Sequence, residues 1–363
     1  MKKKVMILLG LLVACSFFGA CNKESAKNEK TSTAQLMVGM ATDSGTIDDR
    51  SFNQGTWEGI LHAGKDFGIA TKYIKPMGMT EADYLKAISN LYDDGYRLIV
   101  CPGFKFETAV YKAQSKYPDA KFVIIDGNAH PADSFAPANA PNTIGISFYE
   151  NESGFLAGVA AALQIKKGRF GFIGGMELPS VQKFNWGWQQ GIIYANEHLG
   201  TQIELKREDV VYEGSFLNVE AGKQIASAMY DKGVSVIHAA AGGVGIGVIE
   251  EAKRRAQAGE KVWVVGVDVD QYNEGLLPNG SSVILTSAMK FLDKAAYSMI
   301  EAEINGTFEG GRSISLSIKD DSVGIPENNP NLSPEVEEMV RRIAEKIKSG
   351  EISVSAKQGP LIR

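Results

Sequence analysis

From Leu36 onward the chain alternates short β-branched apolar runs with longer stretches whose apolar residues recur at helical spacing, and it does so in two successive series. In the first series, 36–41, 69–74, 97–101 and 121–125 predict strands. Helices are predicted between them over 52–67, 81–94 and 104–117. Trp57, Ile60, Leu61 and Gly64 set the helical spacing in the first of these. After a helix over 153–165 the pattern restarts, with strands at 169–173, 209–212, 234–238 and 262–267 and helices over 182–199, 219–232 and 245–258. A strand at 282–285, a helix over 290–305, a strand at 313–317 and a charged helix over 334–349 complete the chain. Strands this apolar belong in parallel sheets covered by helices on both faces. The expected fold is therefore α/β, with two doubly wound parallel-sheet lobes joined by several crossings near Ser147, Tyr272 and Ser313. Residues 36–147 plus 272–312 are assigned to an N-terminal lobe, and 148–271 plus 313–363 to a C-terminal lobe.

Ahead of this body, Met1-Lys2-Lys3-Lys4 precedes an uncharged run from Val5 to Ala14 that is too short to span a bilayer. Residues 1–20 read as a lipoprotein signal peptide, and Cys21, directly after Phe18-Gly19-Ala20, as the lipidated residue. Leu12-Val13-Ala14-Cys15 is a second lipobox, disfavoured because processing there leaves Ser16-Phe17-Phe18 exposed. A plain secretory signal with incidental cysteines is the alternative. Asn22 to Ala34 holds no apolar residue larger than alanine, so 21–35 reads as lipidated Cys and flexible tether. The expected location is the cell membrane, lipid-anchored, on the periplasmic or extracellular side.

The formal net charge of −5 argues against a nucleic-acid surface. Beyond Cys21 only Cys101 remains, so no intramolecular disulfide is expected, and four scattered histidines give no zinc pattern. No cofactor or metal is expected, and the protein is expected to be a monomer.

Three predicted strands each deliver an aspartate to their carboxyl end: Asp43 after the first, Asp126 after the fourth, Asp268 after Val267. Lys290 follows another strand. In open α/β sheets ligands bind at that edge. Carboxylates with one ammonium suit a neutral ligand rich in N–H and O–H donors, such as a sugar or a nucleoside. Helix capping or turn formation is the alternative use of these aspartates. Ser51 is a good N-cap, which puts Phe52 and Asn53 in the first helical turn. Phe52 is there either a stacking platform for a base, worth about 1–3 kcal/mol, or core packing. Gly242, within the glycine-rich string 241–247, does not belong to a dinucleotide G-x-G-x-x-G motif, because Val248 stands at the last glycine. It reads as a tight turn that lets a ligand approach bare backbone. No nucleophile–base pair is recognisable, so no catalytic residue is assigned. Paired carboxylates keep a glycosidase as a minor alternative.

The string from Thr42 to Gln54 (TDSGTIDDRSFNQ) with Trp57-Glu58-Gly59 resembles the opening of the basic membrane protein family of lipoproteins, and within it the purine nucleoside receptors. Strings at 152–163, 171–178, 262–268, 283–287 and 323–333 extend the resemblance to the C-terminus. It implies a type I periplasmic-binding-protein fold that captures adenosine, guanosine or inosine and delivers them to an ABC transporter permease. It further implies base recognition by Asp43, Phe52, Asn53 and Asp126, and ribose contacts from Asp268 and Lys290. For a second base-stacking aromatic, Phe184 ranks ahead of Phe216, both in segments that depart from the family pattern. A binding protein for a sugar or other small polar metabolite, and a surface adhesin or antigen, are the alternatives.

Overall fold

The computed structural model describes residues 36–357. The expected signal peptide, Cys21 and the tether lie outside the described residues.

The first series folds as β1 (Met37–Ala41), α1 (Phe52–Phe67), β2 (Ala70–Ile74), α2 (Glu81–Asp93), β3 (Leu98–Pro102), α3 (Glu107–Lys116), β4 (Lys121–Ile125) and β5 (Thr143–Phe148). The second is α4 (Glu150–Ile165), β6 (Lys167–Gly174), α5 (Pro179–His198), β7 (Gln202–Tyr212), α6 (Val219–Asp231), β8 (Val234–Ala240), α7 (Gly243–Gln257), β9 (Trp263–Asp268) and β10 (Ile284–Lys290). Then follow α8 (Leu292–Ile304), β11 (Arg312–Leu316), β12 (Val323–Gly324) and α9 (Pro334–Ser349). The strands form two six-stranded sheets, ordered β2-β1-β3-β4-β5-β11 and β7-β6-β8-β9-β10-β12. All pairings are parallel except β10 with β12. Each sheet thus repeats the same doubly wound progression, with its switch point beside its first strand.

The side-chain period of a strand explains why these runs are apolar throughout. On β3, Leu98 and Val100 enter one core cluster while Ile99 and Cys101 enter another under α2 and α3. On β4, Val123 and Ile125 divide from Phe122 and Ile124 in the same way. Both sheet faces are covered, and only a run that is apolar throughout satisfies both.

Two strands join the opposite sheet from the one expected. The strand at Ile284–Lys290, assigned by position to the N-terminal lobe, pairs with β9 in the second sheet. The strand at Arg312–Leu316, whose residues from Ser313 onward are assigned by position to the C-terminal lobe, pairs with β5 in the first. The reason lies in the stretch between β9 and β10. It holds only a single 3-10 turn, Tyr272–Gly275, which returns the chain to the same sheet instead of crossing over. The crossings therefore fall between β5 and α4, as expected near Ser147, then between Lys290 and Leu292, and finally after Leu316. The expected helix over 104–117 opens with a 3-10 turn, Phe104–Phe106. β5 and β12 are strands that the apolar pattern does not predict.

Helices α4 and α5 pack backbone to backbone, which sets the height of both above the second sheet. A Cβ on Gly187 would lie 2.1 Å from the carbonyl oxygen of Asn151, a backbone atom that has nowhere to go. Gly187→Ala is expected to destabilise the protein by about 1–3 kcal/mol in urea denaturation, as an overpacked interior does. Gly324→Ala, whose new methyl would meet nothing within 4 Å, serves as the control and is expected to change stability by under about 0.5 kcal/mol.

Candidate functional site

The carboxyl ends of β1, β4, β9 and β10 open on one cavity of about 640 Å³ between the two sheets. All nine ligand-site residues expected from the sequence line it: Asp43, Phe52, Asn53 and Asp126 from the first series, and Phe184, Phe216, Gly242, Asp268 and Lys290 from the second.

Lys290 ends β10 at the second crossing and is 3 % exposed. Its ammonium hydrogen-bonds Asp126 Oδ2, and lies 3.6 Å from Glu150 Oε1 and 3.7 Å from Asp268 Oδ1. It also sits 4.8 Å from the ring centre of Phe52 and 5.7 Å from that of Phe184. Burial alone would lower the Lys290 pKa, but the charges of Asp126, Asp268 and Glu150 outweigh it and hold the ammonium above its ordinary value. Burial pushes Asp268 upward, opposed by Lys290 and by the hydroxyl of Ser51. Asp126 Oδ1 is buried without a hydrogen-bond partner. Such an oxygen is costly in isolation and is well placed for a ligand's donor.

Asp126 and Asp268 both take positive φ, 58° and 65°. So does Arg50, at 59°, between Asp49 and Ser51. Three of the five non-glycine residues in this conformation among the described residues thus stand at or beside the cavity, where backbone strain is held by the surrounding packing.

The loop after β1 is organised by Asp49. Its carboxylate accepts from the backbone N–H groups of Ser51, Asn53 and Gln54, so Asp49 does the capping expected of Ser51. The Ser51 side chain makes no cap bond, and its hydroxyl donates instead to Asp268 Oδ2 on the other lobe. Asn53 Nδ2 donates to both Asp43 Oδ1 and Asp49 Oδ2, at 2.9 and 2.8 Å. Its amide is thus spent on positioning Asp43, whose Oδ1 also accepts from Gly45 N at 2.8 Å.

The aromatics differ in freedom. Phe52 is half-buried at the start of α1. Phe184 is 2 % exposed, with its ring edge-on to His238. Phe216, half-buried in the loop between β7 and α6, packs against Gly175 and Gly242; a Cβ on Gly175 would lie 2.3 Å from its Cδ1. Gly242 takes φ 53° ahead of α7, the bare turn expected.

Among the polar residues of the cavity that carry no site assignment from the sequence are Ser51, as a bridging donor, Glu150 and Lys183. Glu150 is 1 % exposed, and its Oε2 lies 3.2 Å from Lys183 Nζ. Burial pushes the Glu150 carboxyl up to about 7; the Asp126 charge adds to this, while Lys290 and Lys183 oppose it. Among the described residues no group of three or more His, Cys, Asp or Glu is arranged to hold a metal. The carboxylates converge on an ammonium instead.

Residues 36–358 match the family described as ABC transporter substrate-binding protein PnrA-like. The chain is 34% identical over 371 residues to a CD4+ T-cell-stimulating antigen of Listeria innocua, covering 98% of this chain and 100% of that one. It is 30% identical, at 98% and 100% coverage, to the ABC transporter nucleoside-binding protein BmpA of Lactococcus lactis. Basic membrane protein A of Borreliella burgdorferi is 32% identical, at 96% and 95% coverage. An ABC transporter solute-binding protein of Aeropyrum pernix K1 has the same fold, with a TM-score of 0.75 at 24% identity over 89% of this chain and 94% of that one. The chain belongs to the PnrA-like family of ABC transporter substrate-binding proteins, which are not enzymes.

Removing the ammonium should expose what it balances. Lys290→Met leaves three buried carboxylates without their common cation, expected to cost about 3–5 kcal/mol at pH 8. With the cation gone, the carboxyls of Asp268 and Glu150, which burial already pushes upward against Lys290, rise further above their unfolded values. The deficit is then smallest below the unfolded values and grows as pH rises. Urea denaturation at pH 6 and pH 8 should show a larger loss at pH 8.

Proposed function

We propose that this ABC transporter substrate-binding protein captures purine nucleosides one to one in the cavity between its lobes and presents them to a permease. The observation that carries the reading is the pairing of a carboxylate–ammonium cluster with aromatic rings contributed by both lobes. A nucleoside has the matching halves: a flat base with N–H donors, and a ribose with vicinal hydroxyls. Asp268 and Lys290 suit the ribose, since a carboxylate accepts from the diol and an ammonium donates to a ribose oxygen. Asp43, held by Asn53 and Gly45, and the unpartnered Oδ1 of Asp126 suit base N–H groups. Phe52 stacks from the first lobe. Phe216 is the better partner from the second, because it is more exposed than Phe184 and stands in a loop over bare glycine backbone. The nucleoside-binding name of the Lactococcus lactis relative supports the same ligand class. Lipidation at Cys21 and a tether through residue 35 would hold the globule at the membrane surface, with the ligand site free to meet a permease. Hinging at the three crossings would let the lobes close as units.

Calorimetry on the full-length protein tests this. Guanosine, inosine or adenosine is expected to bind with sub-micromolar Kd, which corresponds to about 8 kcal/mol or more. Ribose, arabinose and glucose are expected to bind at least a hundredfold more weakly. Tighter binding of a sugar than of every nucleoside would rule the reading out. Asp268→Ala should weaken guanosine at least tenfold while leaving guanine within about twofold; equal losses would refute the ribose role. Phe216→Ala should lose the stacking contribution of about 1–3 kcal/mol, roughly five- to 150-fold in Kd.

A further inference from the structure

Glu150 opens α4 at the first crossing and lines the cavity, yet neither a base nor a ribose contact has been assigned to it. Its side chain is surrounded by charges from four elements. Lys183 reaches it from α5, donating also to Phe148 O at 3.0 Å, and Lys290 faces it from β10. Asp126, at the end of β4, shares Lys290 with it, and Asp268, at the end of β9, lies beyond the same ammonium. Three carboxylates against two ammoniums leave the cluster with one surplus negative charge. Glu150 Oε1 is buried with no hydrogen-bond partner. Asp126 is in direct contact with the Lys290 ammonium, and Asp268 accepts from Ser51; Glu150 Oε1 has only the more distant attraction of Lys290.

We infer that capture of the ligand is linked to uptake of one proton by Glu150. A neutral ligand brings no cation, and closure removes the water that screens the surplus charge, so the closed cavity favours the neutral acid. The proton comes from the buffer and resides on Oε1, which becomes an O–H donor able to meet a ligand oxygen. This rests on the reading of the cavity as a site for a neutral purine nucleoside. The upward shift that burial already imposes on this carboxyl places the exchange near neutral pH. The sign follows from linkage. Because the liganded protein holds the proton to higher pH than the free protein, affinity is highest at low pH. It is lost as pH rises through the interval between the two states, at no more than tenfold per pH unit for a single proton. His130, paired with Glu107 in the same cavity, is held above its ordinary pKa by its bonds to the Pro131 carbonyl and Glu107 against the opposing effect of burial, and is left intact in the test.

The test is calorimetry of guanosine binding to the full-length protein at pH 6.5, 7.5 and 8.5, each in phosphate and in Tris, whose ionisation heats differ. The wild type is expected to show buffer-dependent heat equivalent to a large fraction of one proton taken up at pH 7.5 or 8.5. Its affinity is expected to fall roughly three- to tenfold between pH 6.5 and 8.5. Glu150→Gln, which mimics the protonated acid, is expected to lose both effects and to bind at every pH within about threefold of the wild type at pH 6.5. Lys183→Met gives a second reading should Glu150→Gln fail to fold: without that ammonium the uptake moves to higher pH. Binding without proton uptake, or unchanged uptake in Glu150→Gln, or an unmoved profile in Lys183→Met, would overturn this inference and leave the nucleoside reading standing. Failure of guanosine, inosine and adenosine to bind at any pH would overturn both.

Discussion

A single ammonium, that of Lys290, is buried among three carboxylates at the point where the chain passes between lobes. Charges removed from water in this way are costly unless opposite charges stand beside them, because an isolated buried carboxylate costs several kcal/mol. Around Lys290 the matching draws on four different elements. Asp126 comes from the end of β4, Glu150 from the start of α4 and Asp268 from the end of β9, while Lys183 joins from α5. The network therefore exists only when both lobes and their crossings are in register. The same groups then present carboxylate acceptors and ammonium donors to whatever enters the cavity, so the feature that most constrains the fold is also the one that defines the ligand chemistry.

Further contacts tie the lobes along one edge of the cavity. The Arg50 carbonyl accepts from Gln271 Nε2 at 2.8 Å, and its guanidinium meets Glu274 at 2.9 Å. The second of these is half exposed and contributes little by itself. Its neighbour, the bond from Ser51 to Asp268, is buried. Arg50, Asp126 and Asp268 all hold left-handed backbone conformations, which means that the loop and strand ends carrying the site are fixed by their surroundings and not by local preference. A site built this way is preorganised: a ligand need not spend binding energy on ordering its partners.

Much of this is legible in the residues themselves. Strands buried on both faces are apolar without interruption, which makes β3 and β4 plain, and the spacing of α1 bounds it at Phe52 and Phe67. Aspartates placed directly after such strands point to the cavity because the carboxyl edge of a parallel sheet is where ligands collect. What is not legible has identifiable causes. The run Thr143–Phe148 carries glycine and serine on alternate positions and reads weakly as β. Which sheet β10 and β11 join depends on a single turn at Tyr272–Gly275 that position along the chain does not reveal. Ser51 has the chemistry of a cap, and only the opposite lobe shows that its hydroxyl is used elsewhere. Glu150 reads as an ordinary acid in the first turn of a helix, favoured there by the helix dipole. Its meeting with Lys290 and Lys183 depends on residues well over a hundred positions away in one case and more than thirty in the other. No local signal carries such a contact.

In the function proposed here, a carboxylate–ammonium cluster flanked by aromatics from both lobes selects a purine nucleoside. Native mass spectrometry asks this directly. The full-length protein, freed of bound ligand, is offered an equimolar mixture of adenosine, guanosine, inosine, ribose, arabinose and glucose, and the mass retained by the folded protein is read. Retention of one nucleoside per chain is the predicted result. Retention of a sugar in preference to every nucleoside, or of nothing from the mixture, would contradict it.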